Sequence, residues 1–187
     1  MKLNLSKREK GKKSQLTQIR YGGDIPAVVY RSGQVGKNII INGHEISSVI
    51  RSLKKGHLPT TIFEIELCGK EGSCSALVRD VQYHPTTYQI FHIDLQELED
   101  KKPVNVKVPI TFVGVSECVG VKLGGMIRQK IYHVKVRCLP RDIPENFVLD
   151  VHSLSIGDSI RVGDIEKGEG VRVLIPNQEI VVTIAKR

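Results

Sequence analysis

The sequence predicts a mainly β chain with minor α, organised as two successive domains over residues 1–95 and 96–187. Three observations predict it. Short β-branched runs recur along the whole chain between Gly, Pro, Asn and Asp residues. A clear helical period of apolar residues occurs once, in the first half. The stretch Glu97-Leu-Glu-Asp-Lys-Lys-Pro103 then breaks the pattern near the middle with charge and a proline, as a domain junction does. A length of 187 residues accommodates two domains of this size.

In the first half, Pro26–Tyr30 and Lys37–Ile41 are β-rich runs divided by the turn-like Arg31-Ser-Gly-Gln. Asn42 is placed to cap a helix whose Ile46, Val49, Ile50 and Leu53 fall on one face, with Lys54-Lys55 in the last turn and Gly56 as C-cap. Thr61–Leu67 alternates Phe63, Ile65 and Leu67 against Glu64 and Glu66, the pattern of a half-buried strand. Gly69–Gly72 reads as a hairpin turn into a strand over Ser75–Gln82, and a further strand runs from Tyr88 to Leu95. Short strands with one long helix predict a small mixed sheet or open barrel. The second half shows no convincing helical period. Its runs at Val104–Val113, Met126–Cys138, Phe147–Val151, Ser159–Val162, Val171–Ile175 and Ile180–Ala185 predict an all-β sandwich or barrel.

Composition excludes several classes. Hydrophobic residues are 40% of the chain, too many for wholesale disorder. The longest apolar stretches fall far short of a membrane span, and the N-terminus lacks the apolar core of a secretory signal, so a cytoplasmic location is expected. Cys68, Cys74, Cys118 and Cys138 form no CxxC pair and are expected to be free thiols. The net charge of +8 is unevenly placed. Lys2, Lys7, Arg8, Lys10, Lys12, Lys13 and Arg20 stand against Glu9 alone in the first twenty residues. The first half as a whole has 14 basic and 8 acidic residues, the second 14 and 12. A cationic leader repels itself and is stabilised by a polyanion that sheds counterions on binding. A frayed terminus and a membrane surface are the alternatives; the absence of large apolar residues between Ser6 and Gln15 argues against the membrane.

Enzyme-like hints are weak. Gly120-Val-Lys-Leu-Gly-Gly lacks the Gly-Lys-Ser/Thr of a nucleotide loop and reads as a sheet-edge turn or bulge. His84, His92 and Asp94 could be metal ligands, His92 and Asp94 sharing a strand face, but nothing else at metal spacing accompanies them. No cofactor and no catalysis are expected. An RNA face accounts for the polar residues better. Arg8, Lys10, Lys12, Lys13 and Arg20 suit phosphates. Tyr30 offers a ring for stacking, and Gln82 can both donate to and accept from a base edge. Asp94 fits only by accepting from base N–H groups such as guanine N1 and N2, in the shallow minor groove of A-form RNA.

The stretches Lys-Arg-Glu-Lys-Gly-Lys-Lys at 7–13, Arg20, Ile25–Tyr30, Val78–Pro85 and His92–Leu95 resemble the bacterial large-subunit ribosomal protein twenty-five family, which binds 5S rRNA. Val108-Pro-Ile-Thr-Phe, Gly120–Gly125, Cys138–Glu145 and Leu154–Val162 extend the resemblance to the two-domain form, general stress protein CTC. The resemblance implies an N-terminal β-barrel with flanking helices that binds an internal loop of 5S rRNA in the central protuberance of the large ribosomal subunit. It implies Arg8, Lys13, Arg20, Tyr30, Gln82, His92 and Asp94 as contacting residues, with Lys12 and Arg79 beside them. Thr17 and Gln18 stand where the family carries an Arg-Arg pair. Arg31 follows Tyr30 where the family has glycine, and it or the leader lysines are candidates to replace the missing grip. The competing expectation is a stress-related, ribosome-associated interaction protein that acts through its second domain.

Overall fold

The computed structural model describes residues 1–9, 12–31, 33–67 and 73–186, and the chain divides into two compact units, Met1–Lys102 and Pro103–Arg187. The first unit opens with β1 (Lys2–Lys7), whose Leu3 and Leu5 are buried while Lys2, Asn4, Ser6 and Lys7 stay exposed. The helix α1 (Lys13–Tyr21) follows. The leader that stands out in the sequence by its charge is thus built into the fold, its apolar alternation supplying two core residues.

Next come β2 (Ile25–Tyr30), β3 (Lys37–Ile41) and α2 (Gly43–Ser52). Asn42 caps α2 as expected, its Oδ1 accepting from the amides of His44 and Glu45 at 2.9 and 3.3 Å. The expected Gly56 C-cap is not used. Leu53 leaves the helix in extended conformation and packs on the core, so the burial of its side chain ends the helix before the two lysines. Gly56 instead takes a φ of +86° in the turn beyond. At the other end, a Cβ on Gly43 would overlap the Gly23 carbonyl, so α2 reaches the turn after α1 only because residue 43 has no side chain.

The unit is completed by β4 (Ile62–Leu67), β5 (Ser73–Tyr83) and β6 (Ile90–Glu97). The strand expected from Tyr88 begins two residues later, because Tyr88 occupies a turn with φ +54°. The turn expected at Gly69–Gly72 lies wholly outside the described residues, and its flanking strands pair antiparallel from Ile62 opposite Leu77 to Glu66 opposite Ser73. The six strands close into a barrel in the order β1-β3-β2-β6-β5-β4. Two of its seams are parallel, β1 with β4 and β2 with β6. Inside lie Leu3, Leu5, Ala27, Val29, Ile39, Ile41, Phe63, Ile65, Ala76, Ile93 and Leu95, and α2 adds Ile46, which is fully buried.

The second unit is β throughout except for one short helix and two 3-10 turns. Its strands are β7 (Val104–Val113), β8 (Gly125–Gln129), β9 (His133–Cys138), β10 (Phe147–Asp150), β11 (Ser159–Arg161), β12 (Arg172–Val173) and β13 (Ile180–Lys186). They form a four-stranded sheet, β10-β7-β9-β12, and a three-stranded sheet, β11-β13-β8. The run Met126–Cys138, expected as one strand, is split between the sheets. The amides of Lys130 and Ile131 both donate to the Val181 carbonyl, and Gln129 Nε2 donates to Ile131 O, which turns the chain at this corner. The glycine-rich segment, expected as a sheet-edge turn or bulge, does turn at Leu123-Gly124 into β8, but its first residues are helical. Val119–Lys122 is a short helix, α3, and Gly120 lies so close to Ile184 and the Leu154 carbonyl that any side chain would collide. Cys118, Val151, Val182 and Ile184 form a core beneath it. Cys74, Cys118 and Cys138 are free thiols and act as small apolar residues; burial raises the pKa of Cys74 and Cys138. Cys68 lies outside the described residues.

Candidate nucleic-acid interface

The residues singled out in the first half come from five different elements, and the barrel register decides which of them meet. Gln82 on β5 pairs directly with His92 on β6, and Asp80 pairs with Asp94. On the other side of β6, Asp94 pairs with Val28 of β2, so Tyr30 follows two residues further along the same face. Val28 pairs in turn with Asn38 of β3, whose carbonyl accepts from the amide of Arg8 at 3.1 Å. Arg8 therefore continues the β1–β3 ladder by one residue. Arg8, Asn38, Val28, Asp94 and Asp80 form one row across the outside of the barrel.

Within this surface the side chains are held. His92 Nδ1 donates to Asp94 Oδ1 at 2.8 Å, which fixes the ring and leaves Nε2 as the available nitrogen. The phenol of Tyr30 has its pKa raised by partial burial; Arg79 opposes the shift, while Asp94 and Asp80 add to it. Tyr30 thus remains an O–H donor at neutral pH. Arg79 sits on β5 at the irregularity between Val78 and Asp80, where the strand slips register.

Arg20, in the last turn of α1, is preorganised from β6. Its Nε donates to Phe91 O at 3.3 Å, and its guanidinium carbon lies 3.4 Å from the centre of the Phe91 ring. Burial and then the charge of Arg8 lower the Arg20 pKa. Two guanidinium groups are thus kept within electrostatic reach of each other, and Arg8 Nε is a buried donor with no hydrogen-bond partner among the described residues. Both features suit contact with an anion. Beside Arg20 opens a cleft of about 1000 Å³, also lined by His44, Arg51, His84, Tyr88 and Phe91. Lys12 is the exposed N-cap residue of α1; Lys13 opens the helix, its side chain outside the described set, as is Lys10.

Two side chains near this surface are engaged within the fold. Arg31, a candidate to replace the missing phosphate grip, is already paired: its Nη2 donates to Glu97 Oε1 at 2.9 Å and its Nε lies 3.7 Å from Glu99 Oε1. Carboxylates brought in by the end of β6 and the segment after it have claimed its charge. The other is His84. Its Nδ1 accepts from the amides of Thr86 and Thr87, both at 3.3 Å, and so closes its own turn. Among the described residues no group of three His, Cys, Asp or Glu is arranged to hold a metal, and no helix is long and apolar enough to cross a membrane. Sequence reasoning missed Phe91, Asn38 and Asp80. Each acts on a partner distant in sequence, 71 residues in the case of Phe91 and Arg20, so no local pattern marks them.

Comparison with known proteins bears on this surface. Residues 3–95 match the Ribosomal L25p family, and residues 103–187 match the C-terminal domain of ribosomal protein TL5. Over the full length of both chains, the protein is 41% identical to the large ribosomal subunit protein bL25 of Chlamydia abortus. It is 39% identical to that of Chlamydia muridarum and 38% to that of Chlamydia pneumoniae, again over whole chains.

Proposed function

The chain belongs to the bL25 family of ribosomal proteins, and from that premise we propose that it is a non-catalytic constituent of the large ribosomal subunit whose barrel binds 5S rRNA in the central protuberance. The observation that carries this reading is the row across the outside of the barrel that aligns Arg8 and Asn38, through Val28, with Asp94, and has Arg20 held alongside on Phe91. A helical RNA laid on that row meets cations first. Arg8, Lys12, Lys13 and Arg20 neutralise phosphates, and Arg20 does so without first losing conformational freedom, because Phe91 already orients it.

Base and ribose edges then decide specificity. Tyr30 donates or stacks, Gln82 donates and accepts, and His92 presents Nε2 to a 2′-hydroxyl or base edge. Asp94, which phosphate would repel, accepts from guanine N–H groups and turns His92 toward the groove. Arg79 adds charge beside Tyr30. About five phosphate contacts give a log–log salt dependence with a slope near −4.

Filter binding against 5S rRNA and an unrelated RNA hairpin tests the reading. The wild-type chain is expected to prefer 5S rRNA, and Asp94→Ala to erode that preference while retaining the salt slope. Equal affinity of the wild type for both RNAs would refute the specific function.

A further inference from the structure

The second unit has 12 basic and 9 acidic residues, a net of +3, and its charges are segregated by the register. Lys107 on β7 lies directly opposite Lys135 on β9, and Arg137 on β9 lies directly opposite Arg172 on β12. All four are exposed, and the residues alternating with them, Val106, Val108, Val134 and Val136, are buried. The four cations therefore stand on the outer face of one sheet. They form a staircase across three strands: each opposed pair is about 5 Å apart, the two pairs are offset by roughly 7 Å along β9, and Asn105 occupies the β7 position opposite Arg137. His133 lies two residues before Lys135 on the same strand and is within electrostatic reach of Lys107. Among the described residues none of the four cations has an ion-pair partner.

Three of the nine acids of this unit are employed elsewhere. Asp150 Oδ1 accepts from the His152 amide at 2.9 Å, Asp158 Oδ2 from Ser155 at 2.8 Å, and Asp164 Oδ2 from Arg161 at 2.8 Å. They close turns, while the strands β7, β8, β9 and β12 carry no Asp or Glu at all. Like charges directly opposite on adjacent strands destabilise a sheet. An arrangement of this kind gains only when a polyanion covers it.

We propose that the outer face of β7, β9 and β12 is a second docking surface, separate from the barrel, for the phosphate backbone of an RNA helix, with Lys107, Lys135, Arg137 and Arg172 as the contacting residues. An acidic protein is the poorer fit. Protein interfaces centre on buried aromatic or apolar anchors and are depleted of lysine, whereas the middle of this staircase, Lys135 and Arg137 on β9, is cationic and Leu174 lies beside Lys135 at its margin. Backbone recognition of RNA needs charge and a flat support, and both are present. The assignment is independent of the 5S rRNA reading.

The test uses the full chain, a labelled RNA duplex of arbitrary sequence, and the variant K107Q/K135Q/R137Q/R172Q. The variant is expected to flatten the salt slope for the duplex by about 3, from four lost contacts. In the wild type, RNA is expected to slow acylation of Lys107 and Lys135 several-fold, a readout that does not depend on the variant folding. An unchanged slope in a variant that melts like the wild type would overturn the proposal, as would equal acylation with and without the duplex. Polyglutamate protecting the two lysines as well as RNA does, at matched charge and salt, would also overturn it and assign the face to an acidic polypeptide.

Discussion

Arg20 offers the sharpest test of how the barrel grips RNA, because its charge and its positioning can be removed separately. Arg20→Ala deletes one phosphate contact. At about 0.7–0.9 counterions released per contact, the salt slope should fall from near −4 to near −3.2, and affinity at 0.15 M salt should drop roughly fivefold from this term alone. Phe91→Leu leaves the charge but removes the ring that lies 3.4 Å from the guanidinium. The cation–π contact it deletes is worth about 0.5–1 kcal/mol, so affinity should fall about two- to fivefold at an unchanged slope. Arg20→Lys should keep the slope and lose affinity, since an ammonium cannot form the planar fork. Fluorescence anisotropy with 5S rRNA at five salt concentrations between 50 and 400 mM (roughly one decade, as such slopes require) reads all three. An unaltered slope in Arg20→Ala would refute Arg20 as a phosphate ligand. A slope in Phe91→Leu as shallow as that of Arg20→Ala would refute the claim that Phe91 acts by positioning.

The other predictions concern what the fold has decided. Arg31→Gly breaks the contacts to Glu97 and Glu99 and should cost only about 0–1 kcal/mol in a denaturant titration, with 5S rRNA affinity and salt slope unchanged, since these pairs are partly exposed. A weaker slope would return Arg31 to the RNA site. Ile46→Ala empties a fully buried position between α2 and the barrel and should lower stability by about 2–5 kcal/mol in urea; a loss under about 1 kcal/mol would mean that α2 is not part of the core. Burial, and then Lys107, lower the pKa of His133 below its ordinary 6.5. Below pH 6.5 the unfolded chain therefore takes up the proton more readily than the folded one, and stability falls as the solution is acidified. Melting curves between pH 7.5 and about 5 should show a smaller loss for His133→Gln than for the wild type; an equal loss would rule His133 out as a contributor.

The second-domain alternative stays separable from the barrel reading. If the chain worked only through its second unit, Arg20→Ala would leave ribosome association untouched while the quadruple variant of the β7–β9–β12 face abolished it. Loss of association in Arg20→Ala favours the barrel.

Much of the fold is decided by information within ten residues of itself. Alternation of Leu3 and Leu5, or of Phe63 and Ile65, with exposed neighbours produces strands because successive side chains point to opposite faces, and Asn42 caps α2 because its short oxygen reaches two nearby amides. The basic leader, the candidate RNA residues and the mainly β class belong to this level. The tertiary structure decided what those residues do to one another. It closes the barrel by laying β1 parallel to β4, brings Phe91 under Arg20, and draws Arg31 away to Glu97. It also gathers Lys107, Lys135, Arg137 and Arg172 on one face of a domain whose net charge is only +3. The reason is physical: a side chain's direction is set by its own strand, but its neighbour is set by register, and register depends on the packing of residues far apart in the chain.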